Sequence, residues 1–183
     1  AIHIRGFKCF VDTKFSMGKL TVLAGVNGAG KTSLLHTIGV LHQTLCETGS
    51  LNELVLNGAI VNMGRALDVL NKLNSKSEIL FEIELEGQLF PFLYTTENRE
   101  SFTLQQSNSA GCKLSRKIFE ALHHVEYISA DRQGPKDMHS LENSFAYERS
   151  VGVRGERAVS ALSSKEDLEV VEGLRKPGTP LLP

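Results

Sequence analysis

Cysteine is scarce in this 183-residue chain, with only Cys9, Cys46 and Cys112. Three scattered thiols build neither a disulfide framework nor a set of paired zinc ligands, and they read as reduced cysteines of an intracellular, cytoplasmic protein. Long apolar runs are missing too. No stretch approaches the roughly 18–20 apolar residues that span a bilayer, and the opening residues have no secretory-signal pattern, so no membrane partner is expected. Charge of either sign is not in excess: the net charge is −1, from 20 basic and 21 acidic residues. That balance excludes a nucleic-acid binder recognised by bulk charge and leaves only a local basic patch. Internal repeats and low-complexity tracts are absent as well. What remains is 41% apolar and 22% charged, an ordinary globular composition at a length that suits one domain with a real core.

Hydrophobic periodicity then organises the chain. A first strand is expected through Ile2, Ile4 and Phe7, and a second over residues 20–24. The second runs into a glycine cluster, and the helix that follows carries Leu34, Ile38, Leu41 and Leu45 on one stripe. Residues 78–86 alternate, with Ile79, Phe81, Ile83 and Leu85 on one face and Glu82, Glu84 and Glu86 on the other. A turn at Gly87 and Gln88 leads into a strand over 89–96, and 101–105 adds another, which makes an antiparallel meander with one wet face. The glutamates read as that solvated face; nothing closes a coordination sphere around them. A second helix is expected over 113–122, with Leu114, Ile118 and Leu122 four apart, then a strand over 125–129 and an Asp/Arg/Gly/Pro loop. Ser163 and Glu166 are spaced as a capping box for a polar helix over 163–174. Residues 176–183 hold three of the five prolines and read as an irregular tail behind a single domain over 1–175. The fold class is mixed α/β.

One motif carries most of the chemistry. Residues 25–32 read GVNGAGKT, a full match to G-x-x-x-x-G-K-[ST]. Such a match arises by chance in about one chain of this length in a hundred or fewer. Here an apolar β-type run precedes it and an amphipathic helix follows. Gly25, Gly28 and Gly30 let the backbone curl so that successive N–H groups face an anion, with Asn27 and Ala29 between them. The helix N-terminus adds its positive dipole end. Lys31 supplies a compact charge for β- and γ-phosphates, the Thr32 hydroxyl can ligate Mg²⁺, and Ser33 can reach an α-phosphate. A glycine turn that merely caps a helix would not explain a lysine in the first turn, against the dipole preference. The expected ligands are therefore a nucleoside triphosphate and Mg²⁺, and the loop alone does not choose among kinases, GTPases and ATP-driven machines; ATP is what the resemblance of the flanks implies.

The flanks narrow the class. The opening IRGFKCF (residues 4–10), followed by LTVLAGVNGAGKTSLL (residues 20–35), resembles the start of ABC-type ATPases of the SMC, RecF and OLD group. LNGAIVNMG (56–64), YISADRQGP (127–135) and VGVRGE (151–156) resemble segments of predicted bacterial ATPases of that group that are associated with phage defence, Septu and retron systems among them. Ala59 stands where those proteins often have proline. The resemblance covers residues 2–162 and implies an N-terminal lobe with a mixed sheet and an antiparallel β subdomain. It also implies that Lys8 and Phe10 are candidates to hold the adenine, with Phe10 in the core and Lys8 in solvent as the competing reading. Gln133, just past the expected 125–129 strand, is the best-placed candidate to touch Mg²⁺ and the attacking water, beside Arg132. Two such heads would sandwich ATP as a homodimer or higher oligomer, gating a nuclease or a DNA or RNA partner.

Hydrolysis in this class needs an acidic pair after an apolar strand, and no such run exists here. VEYISAD (125–131) is interrupted by Glu126 and Ser129, and Arg132 stands in the glutamate's place. LSSKE (162–166) puts Lys165 where the signature that caps a partner's γ-phosphate has its second glycine. His123 and His124 are adjacent and would face opposite ways on a strand, so neither reads as a switch histidine. The catalytic elements are then expected beyond this stretch of sequence or on another chain. A non-hydrolysing module that signals nucleotide occupancy is the alternative. A small P-loop kinase or GTPase would want a lid arginine or an N-K-x-D motif, and NKLN (71–74) lacks the aspartate.

Overall fold

The computed structural model describes residues 1–73, 76–107, 115–131 and 151–163. They fall into two compact units, Ala1–Val125 and Glu126–Pro183.

Strand β1 (Ile2–Phe7) buries Ile2, Ile4 and Phe7 while His3 and Arg5 alternate outward. It pairs antiparallel with β2 (Phe10–Phe15) through a tight turn at Lys8 and Cys9, with Phe7 opposite Phe10. After it come α1 (Lys31–Thr48), β3 (Glu53–Val55) and the four-residue α2 (Ala66–Val69). Strands β4 (Glu78–Leu85) and β5 (Gln88–Thr95) form a hairpin across Glu86 and Gly87, both at positive φ (48° and 78°). Strand β6 (Thr103–Gln106) and helix α3 (Arg116–His123) complete the first unit. The six strands lie in the order β2-β1-β4-β5-β6-β3, and each of these pairings is antiparallel.

One sheet face makes the core. Phe7 meets Phe81 edge-on at 5.1 Å, and Phe81 lies 6.2 Å from the fully buried Tyr94. Tyr94 satisfies its hydroxyl by donating to the Leu51 carbonyl at 3.0 Å. Helix α1 packs on β3 and α3 and sends Leu34, Leu41 and Leu45 into this core, with Ile38 partly buried. The stripe read from sequence is the packed one. The opposite face is wet and charged: Arg5 pairs with Glu78 at 3.4 Å, Lys14 with Glu84 at 3.7 Å, and His3 lies 2.7 Å from Asp12 and 3.6 Å from Glu82. Glu82 and Glu84 thus belong to cross-strand pairs. Glu86 sits in the turn and not on the strand, and it pairs with Lys117. Exposed pairs of this kind contribute about 0–1 kcal/mol each.

The buried Gln43 of α1 grips the loop over 57–64. Its Oε1 accepts the N–H groups of Ile60 (3.1 Å) and Val61 (2.8 Å), and its Nε2 donates to the Val55 carbonyl. Asn57 closes the same loop by donating to the Gly64 carbonyl and accepting from its N–H, both at 2.8 Å. The LNGAIVNMG stretch is therefore a pinned loop on the phosphate-loop helix.

Several expectations need correcting. Residues 20–24 are not a strand: among the described residues they make no backbone hydrogen bond, and Leu20 and Val22 are 85% and 79% exposed. Residues 125–129 form no strand either. A β-type sequence becomes a strand only where a neighbour continues its ladder. Among the described residues none does so for 20–24, and for 125–129 the bond from the Ser129 N–H to the Val153 carbonyl does not extend into one. The second helix starts at Arg116; residues 113 and 114 lie outside the described residues. Periodicity missed β2, β3 and α2 because the first is a half-exposed edge strand and the other two span three and four residues.

In the second unit, the Ser129 N–H donates to the Val153 carbonyl at 2.7 Å, and Arg154 reaches the Asp131 carboxylate at 3.0 Å. The YISAD and VGVRGE stretches thus lie against each other. Glu156 folds back over Gly152 and accepts the Arg154 N–H at 2.8 Å. Burial pushes its carboxyl up, but backbone N–H donors with the Arg157 and Arg154 guanidinium groups outweigh it and hold it below the usual range. Helix α4 (Ala158–Ser163) follows. Ser163 ends this helix; the polar helix expected after it and the tail lie outside the described residues.

Candidate phosphate-binding site

The site begins where the β1–β2 hairpin meets the start of α1. Three glycines shape the loop, with φ of 153° at Gly25, 84° at Gly28 and 91° at Gly30. The last is doubly constrained. A Cβ at Gly30 would lie 2.6 Å from Cys9 Sγ and 2.9 Å from Phe10 Cζ, so the loop rests on that hairpin with no room for a side chain. Phe10 is buried beneath it, edge-on to Phe15 at 5.3 Å.

From Asn27 to Ser33, only the Ala29 N–H finds an acceptor among the described residues, the Val26 carbonyl at 3.3 Å. Helical bonding starts with Leu34 donating to Gly30 at 3.0 Å, so the first-turn N–H groups of the 18-residue α1 find no acceptor among the described residues. That first turn holds no acidic side chain to neutralise them. The Lys31 ammonium instead spans the loop, donating to the carbonyls of Gly25 and Val26 at 2.8 Å each. These bonds draw a positive charge over the row of free donors. The Thr32 hydroxyl is exposed and makes no hydrogen bond among the described residues, whereas Thr37 in the same helix spends its own on the Ser33 carbonyl. An anion-binding row of amides, a lysine and a free hydroxyl for a hard cation suit a phosphate chain with Mg²⁺.

Lys8 occupies the hairpin turn beside this loop. It has φ 48°, a left-handed conformation that costs a non-glycine residue about 1–2 kcal/mol. Its Nζ lies 3.2 Å from His36 Nδ1, five residues past Lys31 on α1, and 5.7 Å from the Phe7 ring centre. Burial lowers the pKa of both: for Lys8 against a smaller opposing effect of Cys9, for His36 with the Lys8 charge acting in the same direction. Of the residues singled out in the sequence, Gly25, Asn27, Gly28, Ala29, Gly30, Lys31, Thr32 and Ser33 come together as one loop and helix start. Phe10 packs under them and Lys8 stands at their side, turned to His36. Gln133 and Arg132 lie outside the described residues. Cys9, His36 and Asn71 complete the surroundings; the sequence singles out none of them as a site residue, although Cys9 lies within IRGFKCF and Asn71 within NKLN.

The comparisons with known proteins bear on this geometry. A family model described as ABC transporter matches residues 10–163, most of the chain. The chain belongs to that family. It is accordingly a P-loop ATPase module of ABC type, a class that binds ATP, uses Mg²⁺ and typically dimerises through its ATPase domains. No curated protein and no solved structure matches it. Among the described residues, no helix is long and apolar enough to cross a membrane, and no cluster of His, Cys, Asp and Glu could hold a metal.

Proposed function

We propose that residues 25–33 of this ABC-type module hold the triphosphate of ATP, with Lys31 on the β- and γ-phosphates and Thr32 on Mg²⁺. The observation that carries this reading is that the N–H groups of Asn27, Gly28, Gly30, Lys31, Thr32 and Ser33 find no acceptor among the described residues, in the loop whose Gly25 and Val26 carbonyls hold the Lys31 ammonium. Bound Mg²⁺·ATP supplies the labile phosphoanhydride; the chain's own part is to bind and orient it. Lys31 must then give up at least one of its two loop carbonyls for phosphate oxygens.

Hydrolysis belongs to the assembled two-headed enzyme, with Gln133 as the group for Mg²⁺ and the attacking water. The SMC, RecF and OLD branch is supported by the YISADRQGP and VGVRGE stretches. With that branch come the phage-defence role and the nuclease or nucleic-acid partner that nucleotide turnover would gate. A second reading has one specific support. The sequence contains no acidic pair after an apolar strand, so the chain alone would act as a non-hydrolysing module that reports occupancy.

Calorimetric titration with Mg²⁺·ATP tests the site. Lys31→Ala should weaken binding by about a hundredfold, in line with about 2–3 kcal/mol for a lost charge-assisted contact, and leave the melting midpoint in place. Equal affinity in the variant sinks the assignment. Single-turnover hydrolysis by the purified chain would exclude the occupancy-sensor reading.

A further inference from the structure

The phosphate loop does not set its own position. Gly30 sits directly on Cys9 and Phe10, so the loop is placed by the hairpin turn that carries them. That turn has a non-glycine residue at positive φ, Lys8, and needs outside support to stay there. The support comes from one short stretch, 63 residues away in sequence at its end. The Lys8 N–H donates to the Val69 carbonyl at 2.7 Å, and the Lys8 carbonyl accepts from Asn71 Nδ2 at 2.6 Å. The Asn71 N–H in turn donates to the Gly6 carbonyl at 2.9 Å, and Phe7 bridges to Leu70.

Asn71 is 6% exposed and its side-chain amide is spent at both ends. Its Nδ2 holds Lys8, and its Oδ1 accepts the Leu73 N–H at 2.9 Å. A buried amide used this way specifies a geometry. We propose that Asn71 is a positioning residue for nucleotide binding, acting through the Lys8–Cys9 turn to fix the seat of Gly30 and hence the row of phosphate-facing amides. The inference rests on the nucleotide site proposed above.

The substitution Asn71→Asp keeps size and the acceptor for Leu73 but presents an oxygen to the Lys8 carbonyl, so the turn loses its support. Cys9→Ala removes the contact with Gly30 at an exposed position. Mg²⁺·ATP and inorganic triphosphate are titrated into the full chain and into both variants, at a temperature where each is folded by circular dichroism. Each single variant should bind both ligands about five- to tenfold more weakly. The double variant should be no weaker than the worse single one, because both act along one route. A merely structural Asn71 would lower the melting midpoint without changing the affinity of the folded protein, and that result overturns the inference. Effects that multiply in the double variant overturn it too. If Asn71→Asp does not fold, Asn71→Ser takes its place, and unchanged affinity in Cys9→Ala alone is decisive against the proposal. Wild-type protein that binds neither ligand defeats the site itself. Wild-type binding lost in Lys31→Ala but intact in the Asn71 variant defeats only this inference.

Discussion

Two segments of this chain have β-type sequences and opposite fates. The β4–β5 hairpin pairs eight residues of each strand and buries Phe81, Phe92 and Tyr94 to 1% exposure or less. Residues 20–24, just as apolar, lie open with no ladder among the described residues. The difference is the partner. A hairpin brings its own neighbour across a two-residue turn, whereas an isolated β run must wait for a strand from elsewhere. Stability and function are divided accordingly: the meander holds the first unit together, and the open segment leads straight into the phosphate loop.

The largest effect should come from breaking the stable half. Phe81 is fully buried and in ring contact with both Phe7 and Tyr94. Phe81→Ala removes a ring from a packed core and should cost about 3–5 kcal/mol, a large part of the stability of a domain this size. Denaturant unfolding followed by circular dichroism measures it. A loss below about 1 kcal/mol would mean that the meander is not where the stability resides.

The same contrast explains how much could be read from the residues alone. Local features were legible: the glycine loop, because its backbone needs are written in consecutive residues, and the α1 stripe and β4–β5 alternation, because their period is regular. What the pattern could not show was long-range. Asn71 reaches Lys8, and Gln43 reaches Ile60 and Val61, through single polar contacts that leave no periodicity. Edge strand β2 was invisible because Val11, Asp12 and Lys14 are exposed and break the alternation. The 20–24 and 125–129 runs misled for the reverse reason, since their strand-like composition reflects a propensity that no described neighbour satisfies.

A smaller effect depends on pH, beside the phosphate loop. His36 sits on α1 against Lys8, and burial followed by the Lys8 ammonium lowers its pKa from the ordinary 6.5. The unfolded chain therefore binds a proton at His36 more readily than the native one. Stability from this group is present above about pH 6.5 and is lost as pH falls from there through the lower native pKa. His36→Asn keeps a neutral polar group and removes the titration. Unfolding midpoints at pH 7.5 and pH 5 should differ less in the variant than in the wild type. An identical difference would show that the His36 contact with Lys8 carries no proton linkage.

The smallest effect is the sharpest test of the comparison. At 85% and 79% exposure, Leu20 and Val22 contribute almost no buried area. Leu20→Thr combined with Val22→Thr should shift stability by no more than about 0.5 kcal/mol, as exposed substitutions do. The same exchange at Ile79 and Phe81, whose side chains are fully buried, would abolish the core. Thr is itself a strand-favouring residue and keeps the β-branched shape of Val22, so the pair tests burial and not loss of strand propensity. Unfolding of the double variant in urea measures the shift. A loss above 1 kcal/mol would mean that residues 20–24 are covered in solution, and the segment would then have to be counted with the meander as part of a packed sheet.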